Sequence, residues 1–94
     1  MPYTKLKEVL DTAFNQASQG KGFERHAQGA EPFENQVICE MDRRLDGNGS
    51  GPLFQAVKKI YESRRLDKEK AKHELYGAIV YTAAAIILLD EKVE

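Results

Sequence analysis

Six polar side chains in this sequence are suited to binding a small, anionic, base-containing ligand. Arginine forms paired hydrogen bonds with phosphate oxygens, and lysine and histidine add positive charge or hydrogen-bond donors. A glutamine amide can contact a ribose or a base. Because lysine and arginine are mostly exposed in any protein, an ordinary solvated surface is the alternative interpretation. The six candidates are Lys21, Arg25, His26, Gln36, Lys58 and Lys59.

The acidic residues are candidates for Mg²⁺ binding, which all-α nucleotide pyrophosphohydrolases achieve with two E-x-x-E/D pairs on facing helices. No pair of this spacing lies within the body of the second, third or fourth predicted helix. Acids mixed with lysine and arginine usually mark an exposed helix face, and we expect that here. The pairs that the sequence does contain are Glu8 and Asp11, Glu31 and Glu34, and Glu91 and Glu94.

Cys39 is the only cysteine, and His26 and His73 are the only histidines. These residues are too few, and wrongly spaced, for a zinc site. A reactive thiol needs an electropositive and partly open environment, which nothing near Cys39 indicates. A single cysteine also excludes an internal disulfide framework and fits a reducing compartment. We therefore expect a buried thiol without a catalytic role.

Residues 46–51, DGNGSG, break the helical pattern. They lack the GxxxxGK[ST] pattern of a phosphate-binding loop and follow a helix rather than a strand. We interpret them as a connecting loop, because clusters of Gly and Ser between periodic segments are ordinarily turns. Anion binding by the backbone N–H groups at the helix start near Pro52 is the alternative.

Hydrophobic residues at three- and four-residue spacing predict one all-α domain over residues 1–94. The predicted helices cover residues 4–19, 32–45, 52–65 and 68–91, with a loop over residues 20–31. Thr4 and Asp67 are suitable N-caps, and Pro32 and Pro52 suit the first position of a helix. The last two helices are joined by a tight turn and form a C-terminal αα-hairpin.

Each of the first three helices carries an apolar stripe, which we expect to face the core. The stripes consist of Leu6, Val9, Leu10, Ala13, Phe14 and Ala17; of Phe33, Val37, Ile38, Met41 and Leu45; and of Leu53, Phe54, Val57, Ile60 and Tyr61.

The fourth predicted helix contains AIVYTAAAIILL, from Ala78 to Leu89, which is almost unbroken in apolar character. A helix that is apolar on all sides must be buried on all sides or lie in lipid. These twelve residues rise only about 18 Å, short of the roughly 30 Å of membrane hydrocarbon. We therefore expect burial within protein, partly against copies of the same helix, so that the domain forms a homo-oligomer through its last helix.

The composition limits the classes of partner. The net charge of −1 argues against a general nucleic-acid binder, which normally has a basic excess. The first residues run directly into an amphipathic helix without the apolar region of a signal peptide. We therefore expect a cytoplasmic protein with no membrane partner.

Several positions resemble a known family. The pair Arg25 and His26 is followed ten residues later by Gln36 at a helix start, and an alanine-rich hairpin helix ends the chain. This pattern resembles the phage helical-hairpin sponges, which sequester cyclic-nucleotide signals of bacterial antiphage defence (CBASS and Thoeris). The matching positions in the last helix are Ala78, Ile79, Val80, Tyr81, Ala84, Ala85 and Ile86.

The resemblance implies a viral anti-defence protein that sequesters a cyclic oligonucleotide or cyclic ADP-ribose type of signal in the host cytoplasm. It implies binding without turnover, no cofactor and no enzyme activity. Arg25 and Lys58 would contact phosphates, and His26 or Gln36 would contact ribose or base. Two other functions stay open: a protein-interaction module that inhibits or adapts a host protein, and a small all-α Mg²⁺-dependent nucleotide pyrophosphohydrolase.

Overall fold

The computed structural model describes residues 2–19 and 31–92. The described chain forms four α-helices and contains no strand, so the all-α prediction is confirmed. A short 3₁₀ turn, Phe33–Asn35, precedes the second helix. The helices are α1 (Thr4–Gln19), α2 (Val37–Arg44), α3 (Ser50–Ser63) and α4 (Lys68–Asp90).

Three helices have boundaries that differ from the sequence-based ones. The predicted helix over residues 32–45 is interrupted at Gln36, whose extended backbone (φ −77°, ψ 168°) separates the 3₁₀ turn from α2. Helix α3 begins at Ser50 and ends at Ser63, two residues earlier at each end than predicted. Pro52 still lies in the first turn, where its missing N–H has no partner to lose. Helix α4 ends at Asp90, one residue early.

Helices α3 and α4 run antiparallel and pack through small side chains. Gly49, at the start of α3, lies beside Ala85 of α4, and Lys59 further along α3 lies beside Gly77. The axial distance between two helices depends on the side chains at their contact, so small residues allow close approach. The buried residues of the two helices are Pro52, Ala56, Ser63, Gly77, Ala78, Ala84, Ala85 and Leu88.

The predicted core-facing stripe of α3 is wrong for the single chain. Ala56 and Ser63 of α3 are buried at the contact with α4. Most of the large hydrophobic residues point away from it, and Ile60 borders its edge. All five members of the stripe are exposed: Leu53, Phe54, Val57, Ile60 and Tyr61.

The core lies between α2 and the second half of α4. It is formed by Ile38, Cys39, Ala84 and Leu88, with Phe33, Val80 and Tyr81 packed around it and partly buried. On α2 the buried face is Ile38, Cys39 and Asp42. Met41 and Leu45 were expected in this core but are exposed, because Asp42 takes the inward position on that turn.

Asp42 binds the turn between α2 and α3. Its carboxylate accepts hydrogen bonds from the backbone N–H of Gly49 at 2.7 Å and of Gly51 at 2.9 Å. These N–H groups belong to the N-terminus of α3, where an anion is stabilised by the helix dipole. The chain's own carboxylate therefore fills the position that the sequence left open as an alternative anion site, and the connecting-loop interpretation of residues 46–51 fits.

Arg43 joins α2 to the end of α4. Its guanidinium donates to both carboxylate oxygens of Glu91, at 2.8 and 2.6 Å, and to the backbone carbonyl of Glu34. The hydrogen bonds from Arg43 hold the pKa of Glu91 below its ordinary value of 4.5. An acid whose pKa is lowered by folding stabilises the fold above its unfolded pKa. This contribution is present at neutral pH and is lost as the pH falls below 4.5.

Helix α1 lies along α4 but buries little of itself. Ala13 is the only buried residue of α1. The predicted stripe of α1 is therefore mostly wrong for the single chain, since Leu6, Val9, Leu10 and Phe14 are exposed. The amide of Gln16 donates to the backbone carbonyl of His73 at 3.4 Å, which places the end of α1 near the start of α4.

Helix α4 is not covered on all sides within one chain. In residues 2–19 and 31–92 it is the one helix long and apolar enough to cross a membrane, with a mean hydropathy of 1.2, and 28% of that window is buried. Its apolar part, from Leu75 to Leu89, rises about 22 Å, less than the roughly 30 Å of hydrocarbon. Within the single chain α1, α2 and α3 cover only part of the helix circumference. The expected burial on every side, partly against copies of the same helix, stays a prediction.

Candidate functional site

An apolar groove with a volume of about 600 Å³ lies between α1, the 3₁₀ turn and α4. We call it the α1 groove. Its volume falls within the range of small-molecule sites, which are mostly apolar with a few polar groups that orient the ligand. Phe14 and Phe33 supply aromatic rings, and Gln36 supplies an amide. The full lining is Leu10, Ala13, Phe14, Ala17, Ser18, Glu31, Phe33, Gln36, Ile79, Val80, Ala83 and Ile87.

Among the predicted ligand residues that the structure describes, Gln36 is the one that lines the α1 groove. It is held there by the interruption between the 3₁₀ turn and α2, where its backbone N–H donates to the Phe33 carbonyl. The side-chain Nε2 donates to the Glu31 carbonyl at 3.3 Å, and the residue is buried. The residue borders a groove with mostly apolar walls, where hydrogen bonds are stronger than in water.

Lys59 is held between α3 and α4. Its Nζ forms an ion pair with Glu74 at 2.9 Å and lies 5.8 Å from the centre of the Tyr81 ring. Its stem lies so close to Gly77 that a Cβ there would be 3.0 Å from Lys59 Cδ. The lysine therefore links the two helices. Lys58, its neighbour on α3, is exposed, and neither lysine lines the α1 groove.

The structure does not bring Gln36, Lys58 and Lys59 into one site. The other three predicted ligand residues, Lys21, Arg25 and His26, lie outside the described residues. In the sequence they fall between Ser18 and Glu31, which both line the α1 groove.

Cys39 is completely buried in the core. Burial raises the pKa of the thiol, and the nearby positive charge of Arg43 only partly opposes this effect. A thiol is an effective nucleophile only as the thiolate. The burial of Cys39 confirms the expectation of a buried thiol.

We expect iodoacetamide to alkylate Cys39 of the folded protein roughly 100-fold more slowly than Cys39 of the denatured protein, because the thiol is buried and protonated. Mass spectrometry of quenched samples gives both rates. Similar rates in the folded and denatured protein would contradict the buried position.

Several of the described acids are engaged in ion pairs or capping. Glu40 pairs with Arg43 and Arg44, and Glu74 pairs with Lys59. Within residues 2–19 and 31–92, no group of three or more His, Cys, Asp and Glu side chains lies together in a way that could hold a metal ion. The Mg²⁺-dependent hydrolase alternative stays a prediction that these residues do not support.

Sequence reasoning missed most of the α1 groove. Leu10 and Phe14 were assigned to a core stripe, whereas they are exposed and border an open space. Phe33 packs against the core as predicted and also borders this space. The signal for that space was the alanines Ala13 and Ala17 on α1, because small residues beside large ones leave a gap between two helices.

Comparison of this chain with known protein families, with curated proteins and with solved structures gave no match.

Proposed function

We propose that this protein binds a small signalling nucleotide in the α1 groove and sequesters it without turnover. The observation that carries the proposal is the groove itself, in which apolar walls, the Phe14 and Phe33 rings and the Gln36 amide converge. Aromatic rings stack on a nucleobase, and an amide both donates to and accepts from a base edge.

The phosphate contacts are assigned by the sequence. Arg25 is suited to paired hydrogen bonds with a phosphate, with Lys21 and His26 as further donors. The flanking residues Ser18 and Glu31 border the groove, which supports this assignment. Lys58 and Lys59 are left out of the proposed site, because Lys59 is engaged with Glu74 and Lys58 lies away from the groove lining.

The test is isothermal titration calorimetry with cyclic dinucleotides, cyclic trinucleotides and isomers of cyclic ADP-ribose. We expect one class to bind and to be recovered intact after denaturation of the protein. Ala17→Phe fills the groove and Gln36→Leu removes the amide, and each should weaken binding at least about tenfold, or about 1.4 kcal/mol. Arg25→Ala should weaken it similarly.

Lys58→Ala is the matched control and should bind with unchanged affinity, because Lys58 does not line the groove. Circular dichroism confirms that each variant is folded. Absence of binding across the panel, or binding that Ala17→Phe leaves unchanged, would remove the proposal.

A second candidate function is a protein-interaction module that inhibits or adapts a host protein. The observation that favours it is the exposed stripe on α3, where Leu53, Phe54, Val57 and Tyr61 lie on one side of the helix. This function predicts a stable purified complex with one host protein. It also predicts that no nucleotide in the panel shifts the melting temperature.

A further inference from the structure

Helix α4 presents a second apolar stripe, on the side opposite its buried residues Gly77, Ala84 and Leu88. The members follow one another at spacings of four, three, four and three residues, which is the seam spacing of helices that pack against each other. The large side chains Leu75, Ile86 and Leu89 are 41%, 56% and 50% exposed. We call this stripe the α4 seam: Leu75, Ile79, Thr82, Ile86 and Leu89.

Four members of the α4 seam, Leu75, Ile79, Thr82 and Ile86, line a trough of about 540 Å³, together with Leu10 of α1 and Ile60 of α3. Thr82 is the one polar residue of that lining. Its hydroxyl donates to the Ala78 carbonyl at 2.8 Å, so the donor stays satisfied when water is removed. The trough is therefore chemically suited to a second helix.

The small core indicates which helix fills this trough. In the described chain, only Ile38 and Leu88 are large hydrophobic residues that are buried, whereas sixteen large hydrophobic side chains are exposed. A domain of this size is marginal even with a full core. A partner that covers the exposed apolar surface must be present wherever this chain folds. A second copy of the same chain meets that condition.

Five large side chains supply the apolar centre of such an interface. The three large seam side chains and the two on the trough walls, Leu10 and Ile60, are 41–56% exposed. A stable dimer buries about 800 Å² per partner. The polar residues that flank the seam can supply the remainder, as the rim does in most interfaces.

We propose that two copies of this chain dock α4 against α4 in an antiparallel, two-fold dimer along the α4 seam. A two-fold contact closes on itself and needs only this one surface. In the antiparallel register Thr82 faces its copy and Leu75 faces Leu89 of the other chain. Lys72, near the start of α4 in one chain, then lies close to Asp90, at the end of α4 in the other chain. A parallel pair would instead place each of these residues level with its own copy, so that like charges align.

Sedimentation velocity over a concentration series, without any nucleotide, tests the dimer. We expect the wild-type protein to sediment at twice its chain mass of 10.6 kDa. Ile86→Glu should raise the dimer dissociation constant at least about 100-fold, since a carboxylate would be buried without a partner. Leu45→Glu replaces another exposed hydrophobic residue away from the seam and should leave the dimer intact.

Cysteine cross-linking tests the orientation. Under mild oxidation Thr82→Cys should form a disulfide-linked dimer, because the antiparallel register brings this residue beside its copy. Leu75→Cys alone should not cross-link, whereas a mixture of Leu75→Cys with Leu89→Cys should. Cys39 is buried and does not compete.

The proposal is overturned if the wild-type protein is still a monomer at 100-fold the concentration used in the calorimetric titration. A dimer that survives Ile86→Glu also overturns it. A monomer that co-sediments with phosphatidylcholine vesicles assigns the seam to lipid and overturns it as well. Efficient cross-linking of Leu75→Cys alone overturns the antiparallel register. Because no nucleotide is present, failure here leaves the calorimetric test of ligand binding unaffected.

Discussion

Replacing Asp42 by alanine should lower the free energy of unfolding by about 3 kcal/mol, because two backbone N–H groups lose a charged acceptor. The carboxylate is 6% exposed and accepts from Gly49 and Gly51. Asp42→Asn should cost less than alanine, since one amide oxygen can still accept. Urea denaturation at a fixed protein concentration, followed by circular dichroism, gives the free energies.

The control for Asp42 lies in the same turn. Asp46 is exposed and has a left-handed backbone (φ 51°), a conformation that asparagine tolerates well. Asp46→Asn should therefore change stability by less than about 0.5 kcal/mol. Gly47→Ala should be as harmful as Asp42→Ala, because a Cβ at Gly47 would clash with a carboxylate oxygen of Asp42. Wild-type stability of Asp42→Ala would refute this role of the turn.

The second large effect is expected for Leu88→Ala, which should cost about 3 kcal/mol. Leu88 is 6% exposed and packs with Ile38, Cys39 and Ala84 in the core. Truncation removes apolar burial and leaves a cavity that this small core can only partly close. The same denaturation experiment measures the loss.

Leu45→Ala is the matched control for Leu88, because Leu45 is 75% exposed at the end of α2. Its substitution should change the free energy of unfolding by less than about 0.5 kcal/mol. Equal losses for the two leucines would show that the described core does not dominate stability.

The helical class could be read from the sequence because it depends on local spacing and caps. Asp67, for example, was predicted as an N-cap, and its side chain accepts from the Lys70 N–H at 3.1 Å. Burial of Cys39 was predictable for the same reason, since Ile38 lies beside it on the same helix. These features depend on residues within one or two turns of each other.

The side of each helix that faces inward could not be read in the same way. Spacing placed Phe54 and Val57 in the core, but close approach of α3 to α4 is achieved by Ala56 instead. Which of two faces packs depends on residues far apart in the sequence. Lys59 shows the same limit, because its role depends on Glu74 and Gly77 of another helix.

The weak attachment of α1 has a consequence for ligand affinity. With Ala13 as its only buried residue, α1 should detach in a sub-global opening that costs much less than complete unfolding, and its amides should exchange with deuterium early. The α1 groove exists only while α1 is in place. The observed affinity is therefore the intrinsic affinity multiplied by the fraction of molecules in which α1 is attached. For the same reason, a bound nucleotide should slow amide exchange along Thr4–Gln19.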